Sequence, residues 1–110
     1  MKIVTWNVNS LKAREEFVGL YLDAEEPDVL CMQELKLEDG EVPRGIFEER
    51  GYHLETFGQP QWNGVAIASK TPLTDVHRGL PASANGGGDD GQSRLISATT
   101  ADIRFVNLYC

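Results

Sequence analysis

A chain of 110 residues has room for one domain with a single core, not several. Its hydrophobic share of 41% is ordinary for a globular protein, and no apolar run approaches the roughly 20 residues of a transmembrane helix. The net charge of −7 argues against a partner held by charge alone, such as bulk nucleic acid. The acids crowd between Glu15 and Glu49, however, while Lys2, Lys12 and Arg14 make the start basic. A divalent cation can bridge an acidic surface to a phosphate, so a metal-using enzyme on DNA stays open.

Met-Lys-Ile-Val-Thr-Trp passes directly into a strand-like run with no apolar signal segment, which reads as a cytoplasmic protein without a membrane partner. From Ile3 to Val8 the faces alternate, Val4, Trp6 and Val8 against Ile3, Thr5 and Asn7, and this predicts a strand with Asn7 near its C-terminal end. Asn9 or Ser10 is suited to cap a following helix. Phe17, Leu20, Tyr21 and Ala24 fall at i, i+3, i+4 and i+7, the stripe of a core-facing helix, and Pro27 stops it. Asp28 to Gln33 holds the apolar run Val29-Leu30-Cys31-Met32, expected of a strand covered on both faces, and it delivers Glu34 at its far end.

A second helix is expected after Pro43, with Ile46 and Phe47 inward and Gly51 ending it. Tyr52 to Phe57 and Gly64 to Ser69 read as strands joined through Gln59-Pro60-Gln61. Residues 81–93 are small, polar or glycine and predict a flexible loop within the domain. Arg94 to Thr99 and Ile103 to Tyr109 form a hairpin pattern, the second run placing Ile103, Phe105, Asn107 and Tyr109 on one face. The chain stops at Tyr109-Cys110 inside that run, and a truncation is expected. Strand, helix and buried strand in this order predict an α/β layer arrangement.

Asn7 and Glu34 both fall where a strand gives way to a loop, the position at which open α/β sheets hold ligands. A carboxylate and an amide oxygen are hard ligands suited to Mg²⁺, which takes one or two protein carboxylates and keeps several waters. Glu34 as a solvated loop acid and Asn7 as a turn former are the plainer readings. The two cysteines, Cys31 in an apolar run and Cys110 at the end, form neither a disulfide framework nor a zinc spacing. His53 and His77 read as surface or strand residues, and Trp62, although able to stack on a base, as core or hairpin packing.

Thr5-Trp6-Asn7-Val8-Asn9-Ser10-Leu11-Lys12-Ala13-Arg14, Pro27-Asp28-Val29-Leu30-Cys31-Met32-Gln33-Glu34-Leu35-Lys36 and Asn63-Gly64-Val65-Ala66-Ile67 resemble the opening motifs of the exonuclease III family of AP endonucleases. Arg94-Leu95-Ile96 and Val106-Asn107-Leu108-Tyr109 continue the match in the family's order. The resemblance implies the N-terminal half of a four-layered α/β sandwich, two face-to-face β-sheets flanked by helices. It implies Mg²⁺-dependent hydrolysis of double-stranded DNA at abasic sites and 3′ ends, with Mn²⁺ as a substitute, by a monomeric full-length parent. Position by position, it makes Glu34 the metal carboxylate, Asn7 its neighbour in the metal and phosphate site, and Tyr109 the phenol on the scissile phosphate. Asn9 and Lys36 would bind substrate close to the metal carboxylate, Lys36 as a point charge on phosphate, and Lys12, Arg14 and Arg94 would contact phosphates, although ordinary surface charge explains those three equally well.

Ser10 and Leu35 stand where many relatives carry Gly and Thr. The Asp-x-Asn motif and C-terminal Asp-His pair of the family have no counterpart here, so the chain alone is expected to be inactive. Two other readings remain: a phosphoesterase of the same superfamily acting on RNA or phosphoinositide, and a non-catalytic binding module.

Overall fold

The computed structural model describes residues 1–79 and 91–110, which form seven strands in two sheets. In chain order the elements are β1 (Ile3–Asn7), α1 (Glu15–Glu25), β2 (Val29–Gln33), a 3₁₀ turn (Asp39–Glu41), α2 (Gly45–Glu48), β3 (His53–Phe57) and β4 (Val65–Ser69), followed by β5 (Thr74–Arg78), β6 (Leu95–Thr100) and β7 (Ile103–Leu108). The first sheet has the order β1-β2-β4-β3 and the second β5-β6-β7. β1 and β2 are parallel and joined through α1; every other neighbouring pair is antiparallel.

The alternation along β2 explains why its five residues are all buried. Leu30 and Met32 point into a core shared with Val18 and Leu22 of α1 and Phe47 of α2. Val29 and Cys31 enter a second core with Val65 and Ile67 of β4 and Ile96, Ala98 and Phe105 of the second sheet. The helices cover one face of the first sheet and the second sheet covers the other, giving three layers of a sandwich. Val29–Met32 and Val65–Ala68 are all buried, because β6 and β7 of the same chain cover the face that the helices leave open.

The expected phase of α1 is also corrected. Phe17 and Leu20 are exposed, and the buried positions are Val18, Gly19 and Leu22. Phe17 and Tyr21 instead flank Trp6 along the outer edge of β1, with ring centroids 5.9 and 5.2 Å from it. Nor does the helix start after Ser10: residues 11–14 are turns, and Arg14 occupies the N-cap without a side-chain bond. Ser10 Oγ accepts the Ala13 N–H at 3.3 Å within those turns. The stop before Pro27 holds, with Glu26 left-handed and its N–H on Leu22 O.

β5 went unforeseen because Val76 is its only apolar residue, and a register irregularity interrupts its pairing with β6. Trp62 is 67% exposed, neither core nor hairpin packing. Most of the loop expected over 81–93 lies outside the described residues; at its far end Ser93 is buried, its N–H held by Gln59 Oε1 at 2.6 Å. Among the described residues, no helix is long and apolar enough to cross a membrane.

Candidate active site

Because β1 and β2 run parallel, their C-terminal ends lie side by side, with Asn7 opposite Gln33. The pairing continues past both strands: Val8 N–H donates to Gln33 O at 2.9 Å, Ser10 N–H to Glu34 O at 2.8 Å and Leu11 N–H to Leu35 O at 3.0 Å. Asn9, Ser10, Glu34 and Lys36 all have positive φ, a conformation L residues adopt at a cost, and so the two chain segments turn sharply at one rim. A third segment supports them. Leu35 and Lys36 donate their N–H groups to Gly64 O and Asn63 O. Gly64, at φ +95°, is also needed because a Cβ there would meet Leu35 Cβ at 3.0 Å.

The second sheet brings the fourth component. Tyr109 follows β7, its N–H on Arg94 O at 2.8 Å and the Arg94 guanidinium 5.4 Å from the ring centroid. The phenol donates a very short hydrogen bond to Glu34 Oε1. Lys36 Nζ stands 3.9 Å from the other carboxylate oxygen and donates to Asn9 Oδ1 at 2.7 Å, and Asn9 N–H donates to Asn7 Oδ1 at 3.0 Å. Asn7, Asn9, Glu34, Lys36, Arg94 and Tyr109 therefore form one connected cluster.

Its electrostatics follow from these contacts. The Tyr109 hydrogen bond holds the Glu34 carboxyl below the usual glutamate range; partial burial opposes this, and the Asn7 amide and Lys36 charge add to the lowering. The same hydrogen bond raises the Tyr109 phenol, burial and the Glu34 charge raise it further, and Arg94 pulls it down. At neutral pH the pair is thus an ionised carboxylate facing a protonated phenol. Burial alone pushes the Cys31 thiol up to about 11, which makes it an inert core residue.

Beneath the cluster lies a buried amide pair that the sequence reading passed over. Asn107 Nδ2 donates to Met32 O and Ala66 O, each at 2.9 Å, and its Oδ1 accepts from Gln33 Nε2 at 2.7 Å. Gln33 Nε2 also reaches Thr5 Oγ1 at 2.9 Å. A side chain from the second sheet, two residues before Tyr109, thereby satisfies main-chain carbonyls of two strands in the first, and its partner Gln33 directly precedes Glu34. The available signal was polarity at positions whose neighbours are core: Gln33 closes an apolar run, and Asn107 shares a face with Phe105.

Lys12 and Arg14 are not brought into the cluster. Both are exposed, and Lys12 lines a separate recess between α1 and α2 with Glu15, Glu16, Glu49 and Arg50. Among the described residues, no three His, Cys, Asp or Glu side chains gather as a metal-holding group, and Glu34 is the carboxylate of the cluster.

The fold has counterparts among known proteins. Exodeoxyribonuclease III of Haemophilus influenzae is 35% identical over 98 residues, which cover 89% of this chain and 35% of that protein. A 3′ phosphatase from Neisseria, solved with a product DNA hairpin, superposes with a TM-score of 0.92 at 45% identity, covering all of this chain and 41% of that one. An AP endonuclease from Archaeoglobus fulgidus gives 0.89 at 40% identity, with 99% and 41% covered. The chain thus spans well under half the length of these relatives. Residues 4–102 match the Endonuclease/Exonuclease/phosphatase family, and the chain belongs to that family.

Proposed function

We propose that the protein carrying this chain hydrolyses phosphodiesters of double-stranded DNA, at abasic sites and 3′ ends, with Mg²⁺. The observation that carries the reading is the Glu34–Tyr109 pair, an ionised carboxylate and a phenol locked together at the converging strand ends beside Lys36 and Asn7. The relatives named as exodeoxyribonuclease III and AP endonuclease support the substrate class.

The donor set fits a hard divalent cation that retains waters: Glu34 and Asn7 would hold Mg²⁺, or Mn²⁺ in its place, with phosphate completing the shell. When bound, the cation supplies charge neutralisation at a phosphoryl oxygen. Tyr109, whose single O–H donates to Glu34 in this structure, would turn that donor to the phosphate oxygen on which negative charge grows, and Lys36 and Arg94 would add fixed positive charge around it. Asn9 orients Lys36 through its 2.7 Å hydrogen bond. Lys12 and Arg14, outside the cluster, would meet only backbone phosphates further along the duplex. Among the described residues no second carboxylate or histidine joins the cluster to orient water or protonate the leaving oxygen, so turnover is expected of a protein of its relatives' length.

The test is the complete gene product on a duplex carrying one abasic analogue, wild type against Glu34→Gln, across a Mg²⁺ titration. The variant should need far more Mg²⁺ and turn over at least about a hundredfold more slowly. Equal rates and metal dependence would remove Glu34 from the site. Cleavage of RNA or phosphoinositide in place of DNA would reassign the substrate.

A further inference from the structure

Beside the cluster is an open recess of about 380 Å³ lined by Gln59, Trp62, Asn63, Gln92 and Arg94. It adjoins the site on two sides: Arg94 also covers the Tyr109 ring, and Asn63 O accepts the Lys36 N–H at 2.9 Å. None of the lining residues is acidic, although the chain as a whole carries −7.

The loop that carries Trp62 is built rather than slack. Gln61 and Asn63, on either side of it, have φ of +66° and +53°, and Gly64 follows at +95°. Trp62 N–H donates to Pro60 O at 2.7 Å, Asn63 Nδ2 to Gln59 Oε1 at 3.1 Å, and Gly64 N–H to Ser93 O at 2.9 Å. Gln61 and Asn63 hold left-handed conformations on either side of an indole that stays 67% exposed, so hydrogen bonds and not burial of Trp62 fix the shape of the turn. A large aromatic held outward on a hydrogen-bonded, strained turn next to a candidate phosphate site has the form of a stacking platform.

We infer that this recess is a nucleobase subsite: Trp62 stacks on one base next to the scissile phosphate, and the carboxamides of Gln59 and Asn63 face that base's edge or its sugar. The inference rests on the DNA reading of the neighbouring site and specifies which part of the substrate lies beyond the phosphate. Stacking tolerates any base, so the subsite adds affinity and register without strong sequence preference.

The experiment uses the complete gene product, wild type, Trp62→Ala and Trp62→Phe, with a duplex carrying an abasic analogue. Equilibrium binding is measured in EDTA and the single-turnover rate at saturating protein with Mg²⁺. Trp62→Ala should weaken binding about tenfold or more, Trp62→Phe should keep most of it, and the saturating rate should stay within about twofold of wild type. Removing individual bases around the scissile position should reveal one whose loss weakens wild type but not Trp62→Ala. Equal binding by wild type and Trp62→Ala would overturn the inference while leaving the DNA reading intact, as would equal losses for Ala and Phe or a reduced saturating rate. If wild type neither binds nor cuts any DNA duplex, the DNA reading itself fails and the subsite fails with it.

Discussion

β4 and β7 are both flanked by antiparallel partners or solvent, yet their side chains meet different surroundings. All five residues of β4 are buried, because helices cover one face and the second sheet the other, whereas β7 alternates, with Arg104, Val106 and Leu108 exposed between Phe105 and Asn107. In a strand covered twice every position is a packing position. In a strand covered once, a polar residue on the inward face needs a specific partner, and Asn107 has three. The site sits where these two kinds of strand end together, Glu34 after β2 and Tyr109 after β7.

The same substitution placed on each sheet should expose the contrast most strongly. Ile67→Ala removes a fully buried side chain between the sheets and should cost about 2–5 kcal/mol, whereas Ile103→Ala, at a position 41% exposed, should cost under about 1 kcal/mol. Denaturant midpoints of the two variants check this, and similar losses would mean that the second sheet is packed as tightly as the first. Next in size, Asn107→Ala leaves Met32 O, Ala66 O and Gln33 Nε2 without their partner and should cost about 2–3 kcal/mol. Because Tyr109 follows two residues later, its activity should fall more than its stability predicts; stability loss with unchanged saturating turnover would confine Asn107 to packing. The smallest effect is expected at the rim. Ser10 adopts φ +83°, so Ser10→Gly should relieve strain and stabilise by up to about 1 kcal/mol, less whatever the 3.3 Å bond from Ala13 contributes. A destabilised glycine variant in thermal melts would show that the hydroxyl outweighs the backbone.

What was legible in the sequence follows the same division. β2, β4 and the β6–β7 hairpin could be read because unbroken apolar runs and clean alternation are strong signals. β5 could not, since an exposed edge strand with one apolar residue carries no periodicity. The α1 stripe was mis-phased because Phe17 and Tyr21 look like core residues by type, while the packing that occupies them is Trp6 at the sheet edge. Asn7 and Glu34 were visible from their place at strand ends, but Tyr109 came only from family resemblance, as nothing local distinguishes it from a packing tyrosine. Gln33 and Asn107 escaped because they pair with each other across 74 positions and Asn107 also answers main-chain carbonyls, neither of which a local motif records.

The hydrogen bond between Tyr109 and Glu34 spans 75 positions of sequence, and the one between Gln33 and Asn107 spans 74. Contacts of such range are entropically slow to close and tend to form after local structure. At a synthesis rate of about 5–20 residues per second, Glu34 leaves the ribosome roughly 4–15 s before Tyr109 does. Throughout that interval the parallel pair of β1 and β2 can exist with its carboxylate unclamped and the carbonyl of Met32 without Asn107. The cluster is therefore assembled by timing as well as by geometry: the arrival of β7 brings Asn107 to the carbonyls between the sheets and Tyr109 to Glu34 in one event.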